Sequence, residues 1–120
     1  MATTRPCPDD FLPLKPDAFY ILLVLLYGER HGYAIMRDAA ERSEGTVRLQ
    51  AGALYRTLKR LLDDRLVAES DRRPAPESDD ERRRYYTLTP LGARVLAAEL
   101  DRLARLVAAA RPAPARHRLA

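Results

Sequence analysis

A mainly α fold closed by a small β-hairpin is predicted by three observations. An all-apolar run from Phe19 to Tyr27 reads as a helix with no wet side, and two amphipathic helical stretches follow it. Two runs of strand composition, Leu66 to Ser70 and Arg84 to Leu88, flank a polar, Pro-containing stretch from Asp71 to Arg83. A last helical segment carries apolar residues at the spacing of a coiled-coil seam. Three helices closed by a two-stranded hairpin make the winged helix-turn-helix plan, here extended by a long C-terminal dimerisation helix.

The elements follow in order. Residues 1–13 hold Pro6, Pro8 and Pro13 and are expected to form an extended arm rather than a helix. Pro16 at a first helical position, with Asp17 beside it, starts the first helix, and Gly28 stops it. The second helix runs from about Gly32 to Ser43, turning Ile35, Met36, Ala39 and Ala40 inward and Arg37, Asp38, Glu41 and Arg42 outward. Thr46-Val47-Arg48 is read as a very short strand. In the third helix, about Ala51 to Asp64, Leu54, Leu58, Leu61 and Leu62 share one side while Gly52, Arg56 and Lys59 share the other. After the hairpin, Thr89-Pro90 supplies a cap and first residue for a helix reaching about Ala110. Residues 14–88 are thus read as the winged helix domain, 89–110 as the dimerisation helix, and 111–120, broken by Pro112 and Pro114, as a disordered tail.

Composition narrows the function. A chain of 120 residues has room for one domain. The single Cys7 excludes an internal disulfide, and His31 and His117 stand too far apart to suggest a metal site, so no cofactor is expected. Self-association is left as the way to bury more surface. The first ten residues do not resemble a signal peptide, and the longest apolar stretch is about half of the roughly 20 residues a membrane span needs. A cytoplasmic protein is therefore expected. Net charge is +4, but Arg111, Arg116 and Arg118 lie in an acid-free tail, and 4 minus 3 leaves +1. Nucleic-acid binding must be argued from where the charges fall. No nucleophile elbow, P-loop, paired-cysteine motif or HExxH occurs, so an enzyme is not expected.

Two places carry DNA-like chemistry. The first turns of the third helix offer Gln50, Ala51, Gly52, Tyr55, Arg56 and Lys59: Gln and Arg can each pair two hydrogen bonds with a base edge, and Gly52 lets backbone approach phosphate. The hairpin stems bring Arg72, Arg73, Arg82, Arg83 and Arg84 to the base of one loop, where guanidiniums would grip phosphate. Glu77, Asp79, Asp80 and Glu81 lie between them and either swing away from DNA or simply pair with the arginines. One of Tyr85 and Tyr86 points into the core, because neighbours on a strand alternate. His31, at a helix start, is expected to bond backbone. The dimer surface is read as Phe19, Leu22 and Leu23 of the first helix with Leu96, Leu100, Leu103 and Val107 of the last, the latter stepping by four, three and four.

The stretches LKPDAFYILLVLLYGERHGYAIMRDA, LQAGALYRTLKRLLDDRLV and RRRYYTLTPLGARVL resemble the PadR family of bacterial transcriptional regulators. His31-Gly32-Tyr33, Gly52-Ala53-Leu54-Tyr55 and Tyr85-Tyr86-Thr87-Leu88-Thr89 make the match specific. The resemblance implies a homodimer built from the first and last helices and a third helix that reads an inverted-repeat operator in double-stranded DNA, with the hairpin as wing. It also implies repression relieved by a small, often aromatic, effector. Gln50-Ala51 stands where the family commonly has Ser-Pro, so the hydroxyl cap of the third helix is missing, and the chain has no tryptophan for stacking a drug. The rival readings are a winged-helix module that binds protein, which the acidic loop tip favours, and a ligand-binding protein without an operator.

Overall fold

The computed structural model describes residues 6–70 and 84–111. Arg72, Arg73, Arg82, Arg83, the acidic loop tip and the C-terminal tail fall outside them. A 3₁₀ turn at Pro8–Phe11 is followed by α1 (Pro16–Leu26), β1 (Arg30–His31), α2 (Gly32–Arg42), α3 (Ala51–Asp63), β2 (Val67–Glu69), β3 (Tyr85–Leu88) and α4 (Pro90–Ala110). The fold class is the expected one, mainly helical with a small antiparallel sheet.

The core forms around α1. Ile21, Leu22, Val24 and Leu25 are buried, and α2, α3, α4 and β3 all pack on this helix. Leu54, Leu58 and Leu61 bring α3 against it, Ile35 and Ala39 bring α2, and Val95 and Leu96 bring α4. Burial of this kind stabilises by roughly 1.5–3 kcal/mol for each large side chain removed from water. At its C-terminal end α1 emerges, where Leu26 and the following Tyr27 are exposed and the Arg42 guanidinium sits 4.0 Å from the Tyr27 ring centre.

The sheet has the order β1-β3-β2, antiparallel throughout, with Arg30 opposite Tyr86 and Val67 opposite Leu88. The hairpin strands lie where they were expected, but the short strand does not. Residues 46–48 are irregular and follow a turn at 43–45 that ties them down by side chains: the Ser43 hydroxyl accepts the Val47 N–H at 2.9 Å, and the Thr46 hydroxyl donates to the Ser43 carbonyl at 2.7 Å. Glu44 and Gly45, both at positive φ, reverse the chain after α2. The third strand is Arg30–His31 instead, lying along the outer edge of β3.

The N-terminal segment is also more structured than expected. Besides its 3₁₀ turn, it packs Phe11, Leu12 and Leu14 against the core. Its anchor is Glu99 of α4, whose side chain is almost fully buried and accepts the Leu14 N–H at 3.0 Å. Arg102 holds both carboxylate oxygens, at 2.5 and 2.9 Å. The Arg102 hydrogen bonds, assisted by the Leu14 amide, keep the Glu99 carboxyl below its ordinary pKa against the opposing effect of burial.

Two residues assigned to the dimer surface belong instead to the core of the single chain. Leu22 is 0% and Leu96 1% exposed. Apolar spacing marks a stripe without saying what covers it, and the first turns of α4 are covered by α1. Beyond Glu99 the helix leaves the body, and Leu100, Leu106 and Val107 are exposed with Leu103 half-buried between them. Phe19 and Leu23 of α1 are half-buried.

The start of α4 is locked to the end of α3. The Thr89 hydroxyl accepts the Gly92 N–H at 2.9 Å and donates to the Arg65 carbonyl at 2.7 Å, while the Thr89 N–H reaches the Leu66 carbonyl at 3.1 Å. Arg65 takes a left-handed conformation, which lets the Leu66 N–H return to the Leu61 carbonyl and close α3. The helices approach so closely that a Cβ on Gly92 would run into the Leu66 carbonyl, a backbone atom that cannot swing aside. Gly92→Ala is therefore expected to cost about 2 kcal/mol, the range of core overpacking, and to lower Tm by about 10 °C in a thermal melt. An unchanged Tm would mean that the junction is looser than described.

Candidate nucleic-acid interface

The amphipathic pattern of α3 decides what it displays. With Leu54, Leu58 and Leu61 buried, Gln50, Ala51, Gly52, Tyr55, Arg56 and Lys59 are left exposed on the outer side. Gln50 is the N-cap but makes no side-chain cap bond, so the first-turn N–H groups of Ala51, Gly52 and Ala53 gain no partner from it. These donors and the positive end of the helix dipole face the solvent. Arg56 leans toward the same end, and a Cβ on Gly52 would stand 3.3 Å from its guanidinium nitrogen. Lys59 makes an i,i+4 pair with Asp63 at 3.7 Å, and both side chains are more than two-thirds exposed. Such a pair is worth about 0.3–0.5 kcal/mol and leaves the ammonium ready to change partners.

Tyr55 has a second task. Half-exposed, it lies across the N-terminus of α2, where a Cβ on Gly32 would come within 2.5 Å of its hydroxyl. Gly32 is thus the residue that lets α2 and α3 close on one another. The phenol of Tyr86, on β3, is buried in the same region; burial raises its pKa above the ordinary value of 10.0, and Tyr55 and Glu69 add to the shift. Tyr86 is the inward member of the tyrosine pair.

Beside Tyr55 the start of α2 adds aromatic surface that sequence reasoning did not assign to the site. The His31 Nδ1 caps the helix by accepting the Ala34 N–H at 3.2 Å, which requires the neutral ring with its proton on the other nitrogen. Its ring lies edge-on to Tyr85 at 5.6 Å and nearly parallel to Tyr33 at 6.5 Å. Tyr33 is exposed. Its only signal in the sequence was its place in the His31-Gly32-Tyr33 triplet. Arg48, exposed just ahead of α3, is a cation that sequence reasoning also left out of the site.

The wing stem is less free than its composition implied. Of the five hairpin arginines only Arg84 is among the described residues, and its guanidinium meets Glu69 of the facing strand at 3.1 Å. Among the described residues the acid that engages it is Glu69 of the stem. Both side chains are largely exposed, so the pair competes weakly with a phosphate. Among the described residues no group of His, Cys, Asp and Glu could hold a metal ion, and no helix is long and apolar enough to cross a membrane.

Comparison with known proteins places this geometry. The model of the transcriptional regulator PadR-like family matches residues 21–98, well over half of the chain. The chain belongs to the PadR-like family of transcriptional regulators. The matched span runs from α1 through most of the buried part of α4, and so includes every element that positions α3. Among solved structures, RosR of H. salinarum in the hsRosR-SG complex is 30% identical, with a TM-score of 0.65 over 92% of this chain and 88% of that one. Bacillus subtilis PadR, solved in complex with operator DNA, is 25% identical with a TM-score of 0.59, over 69% of this chain but only 46% of that chain. A PadR family regulator from Clostridium difficile, 22% identical with a TM-score of 0.67 over 82% of this chain and 97% of that one, shares the fold. No curated protein matches the chain.

Proposed function

We propose that this PadR-like chain is a sequence-specific DNA-binding regulator that lays α3 in the major groove, works as a homodimer on an inverted-repeat operator and represses the genes beside it. The observation that carries the reading is the exposed edge of α3: uncapped N–H groups at its start, Arg56 leaning over Gly52, and Gln50, Tyr55 and Lys59 on the same side. This is the donor set that major-groove recognition uses, with Arg reading guanine and backbone and Lys holding phosphate. The operator complex of Bacillus subtilis PadR supports DNA as the partner. Arg84, and with it Arg72, Arg73, Arg82 and Arg83, would hold phosphate from the wing.

Dimerisation is supported by the apolar stripe on the projecting end of α4. Leu100, Leu103 and Val107 keep the seam spacing, and Leu106 adds to them. Among the described residues nothing covers Leu100, Leu106 and Val107, and such a stripe on a projecting helix offers a self-complementary surface to a second copy. Phe19 and Leu23 stay in the proposed interface, whereas Leu22 and Leu96 do not. Release by a small effector completes the reading.

Two experiments test it. Fluorescence anisotropy on DNA from upstream of the chain's own gene should show affinity falling by nearly one power of salt concentration per phosphate contact. In that assay Arg56→Ala should cost about 1–3 kcal/mol on the operator and narrow the gap to random DNA, while Tyr55→Phe should weaken both alike. Full affinity and preference in Arg56→Ala would remove α3 as the reading element in the orientation given. Sedimentation of Leu103→Glu should give a monomer whose circular dichroism is unchanged; a persisting dimer would move the interface off α4.

A further inference from the structure

Among the described residues Glu99 is the only charged side chain that is buried, and neither the DNA reading nor the apolar stripe of α4 uses it. A carboxylate taken out of water is costly unless its lone pairs are met by donors of good geometry. Glu99 has three. The Leu14 N–H and Arg102 Nη2 donate to Oε2 at 3.0 and 2.9 Å, and Arg102 Nε donates to Oε1 at 2.5 Å. Arg102 lies one turn further along α4, whereas Leu14 comes from a segment 85 positions away. The group therefore ties two distant parts of the chain at one point instead of supporting a single helix.

That point lies where α4 leaves the body. Val95 and Leu96, about one turn before it, are buried in the core, while Leu100, Leu106 and Val107 beyond it are exposed. Leu14 stands two residues ahead of Pro16, the first residue of α1, and the 3₁₀ turn that precedes it packs on α4. Helix α4 thus has two fixed points: the Thr89 cap with Gly92 against the Leu66 carbonyl at its start, and Glu99 on the Leu14 amide at its exit. The stretch from Gly92 to Glu99 is about 10 Å of helix. A helix held at one point can swing; held at two, it has a direction. An apolar side chain at position 99 would fill the space as well, but only hydrogen bonds of fixed geometry set an angle.

We propose that Glu99 sets the spacing of the two half-sites in the operator. It holds the angle at which the projecting, dimer-forming end of α4 leaves the body, and through that angle the distance between the α3 helices of the two protomers. The lever is long enough to matter. A domain of this size is roughly 20 Å across, so a tilt of about 10° at the exit moves α3 by roughly 3.5 Å, close to the rise of one base pair. Glu99 touches no DNA; it acts through Leu14 and Arg102, as a positioning residue. The inference rests on the reading of the chain as a dimer on an inverted repeat and names the residues that fix the geometry of that dimer.

The test uses the full chain. Glu99→Met combined with Arg102→Met replaces the ion pair by apolar residues of similar length and leaves no buried charge unpaired, while Glu99→Gln keeps an acceptor for the Leu14 amide and loses the charge. Both should sediment as dimers with unchanged circular dichroism and keep wild-type affinity for a duplex cut back to one half-site. The upstream duplex is then compared with forms carrying one base pair more or fewer between the half-sites, a change of about 3.4 Å and roughly 35°. Wild type should lose about tenfold or more in affinity on either form, the double variant should bind all three within about threefold, and Glu99→Gln should fall between. In the dimer without DNA, pulsed dipolar spectroscopy between spin labels at Arg37→Cys of the two protomers, with Cys7→Ser, should give a narrow distance distribution for wild type and a broader one for the double variant. A double variant as strict about spacing as wild type, or as narrow in its distances, would overturn the inference. Loss of the fold or of the dimer in both variants would do the same, since Glu99 would then serve stability alone. A wild type that is itself monomeric, or indifferent to half-site spacing, would overturn the dimer reading and the inference with it.

Discussion

An apolar helix with no wet side requires cover on every side, and the burial of α1 is the constraint from which the rest of this structure follows. A chain of this size has only a few elements with which to cover it, so α2, α3, α4 and β3 all turn their apolar faces to one axis. Once α3 gives Leu54, Leu58 and Leu61 to that core, its other side is committed to solvent. The display of Gln50, Gly52, Tyr55, Arg56 and Lys59 is thus the remainder left when the core has taken what it needs.

Two close approaches then hold α3 in place. At its start, the absence of a side chain on Gly32 lets Tyr55 lie over the N-terminus of α2. At its end, Gly92 and the Thr89 cap bring α4 against the Leu66 carbonyl. The helix that faces DNA in our reading is thereby held near its start by the Tyr55 side chain on Gly32 and at its end by backbone contact, while its edge carries long, exposed and weakly paired side chains. Rigid placement with mobile tips suits recognition, since the element does not have to order itself on binding. The N-terminal segment adds a wall behind the same helix, held by Leu14 on the buried Glu99 carboxylate.

Much of this was legible in the residues. Helices α2, α3 and α4 begin and end within one or two residues of where Gly32, Gln50-Ala51 and Thr89-Pro90 placed them, because caps and periodicity act locally. The inward Tyr86, the backbone-bonding His31 and the uncapped start of α3 were readable for the same reason. The failures lie where the outcome depends on distant partners. A two-residue strand such as Arg30–His31 has no pattern of its own and exists only because β3 passes by. The Pro-rich start was read as loose because nothing near it reveals Glu99, 85 positions from the amide it accepts. Leu22 and Leu96 were taken for interface because an apolar stripe looks alike whether its own chain or a partner covers it.

The central claim, that the start of α3 is the surface that meets DNA, is most directly tested at the backbone. Amide hydrogen exchange of Ala51, Gly52 and Ala53, measured by NMR with and without operator duplex, reads the donors that the missing Gln50 cap leaves available. Our account predicts slowed exchange at these three amides in the complex, with the projecting end of α4 unchanged relative to the free protein. Unaltered exchange at all three, with protection elsewhere on the chain, would contradict it.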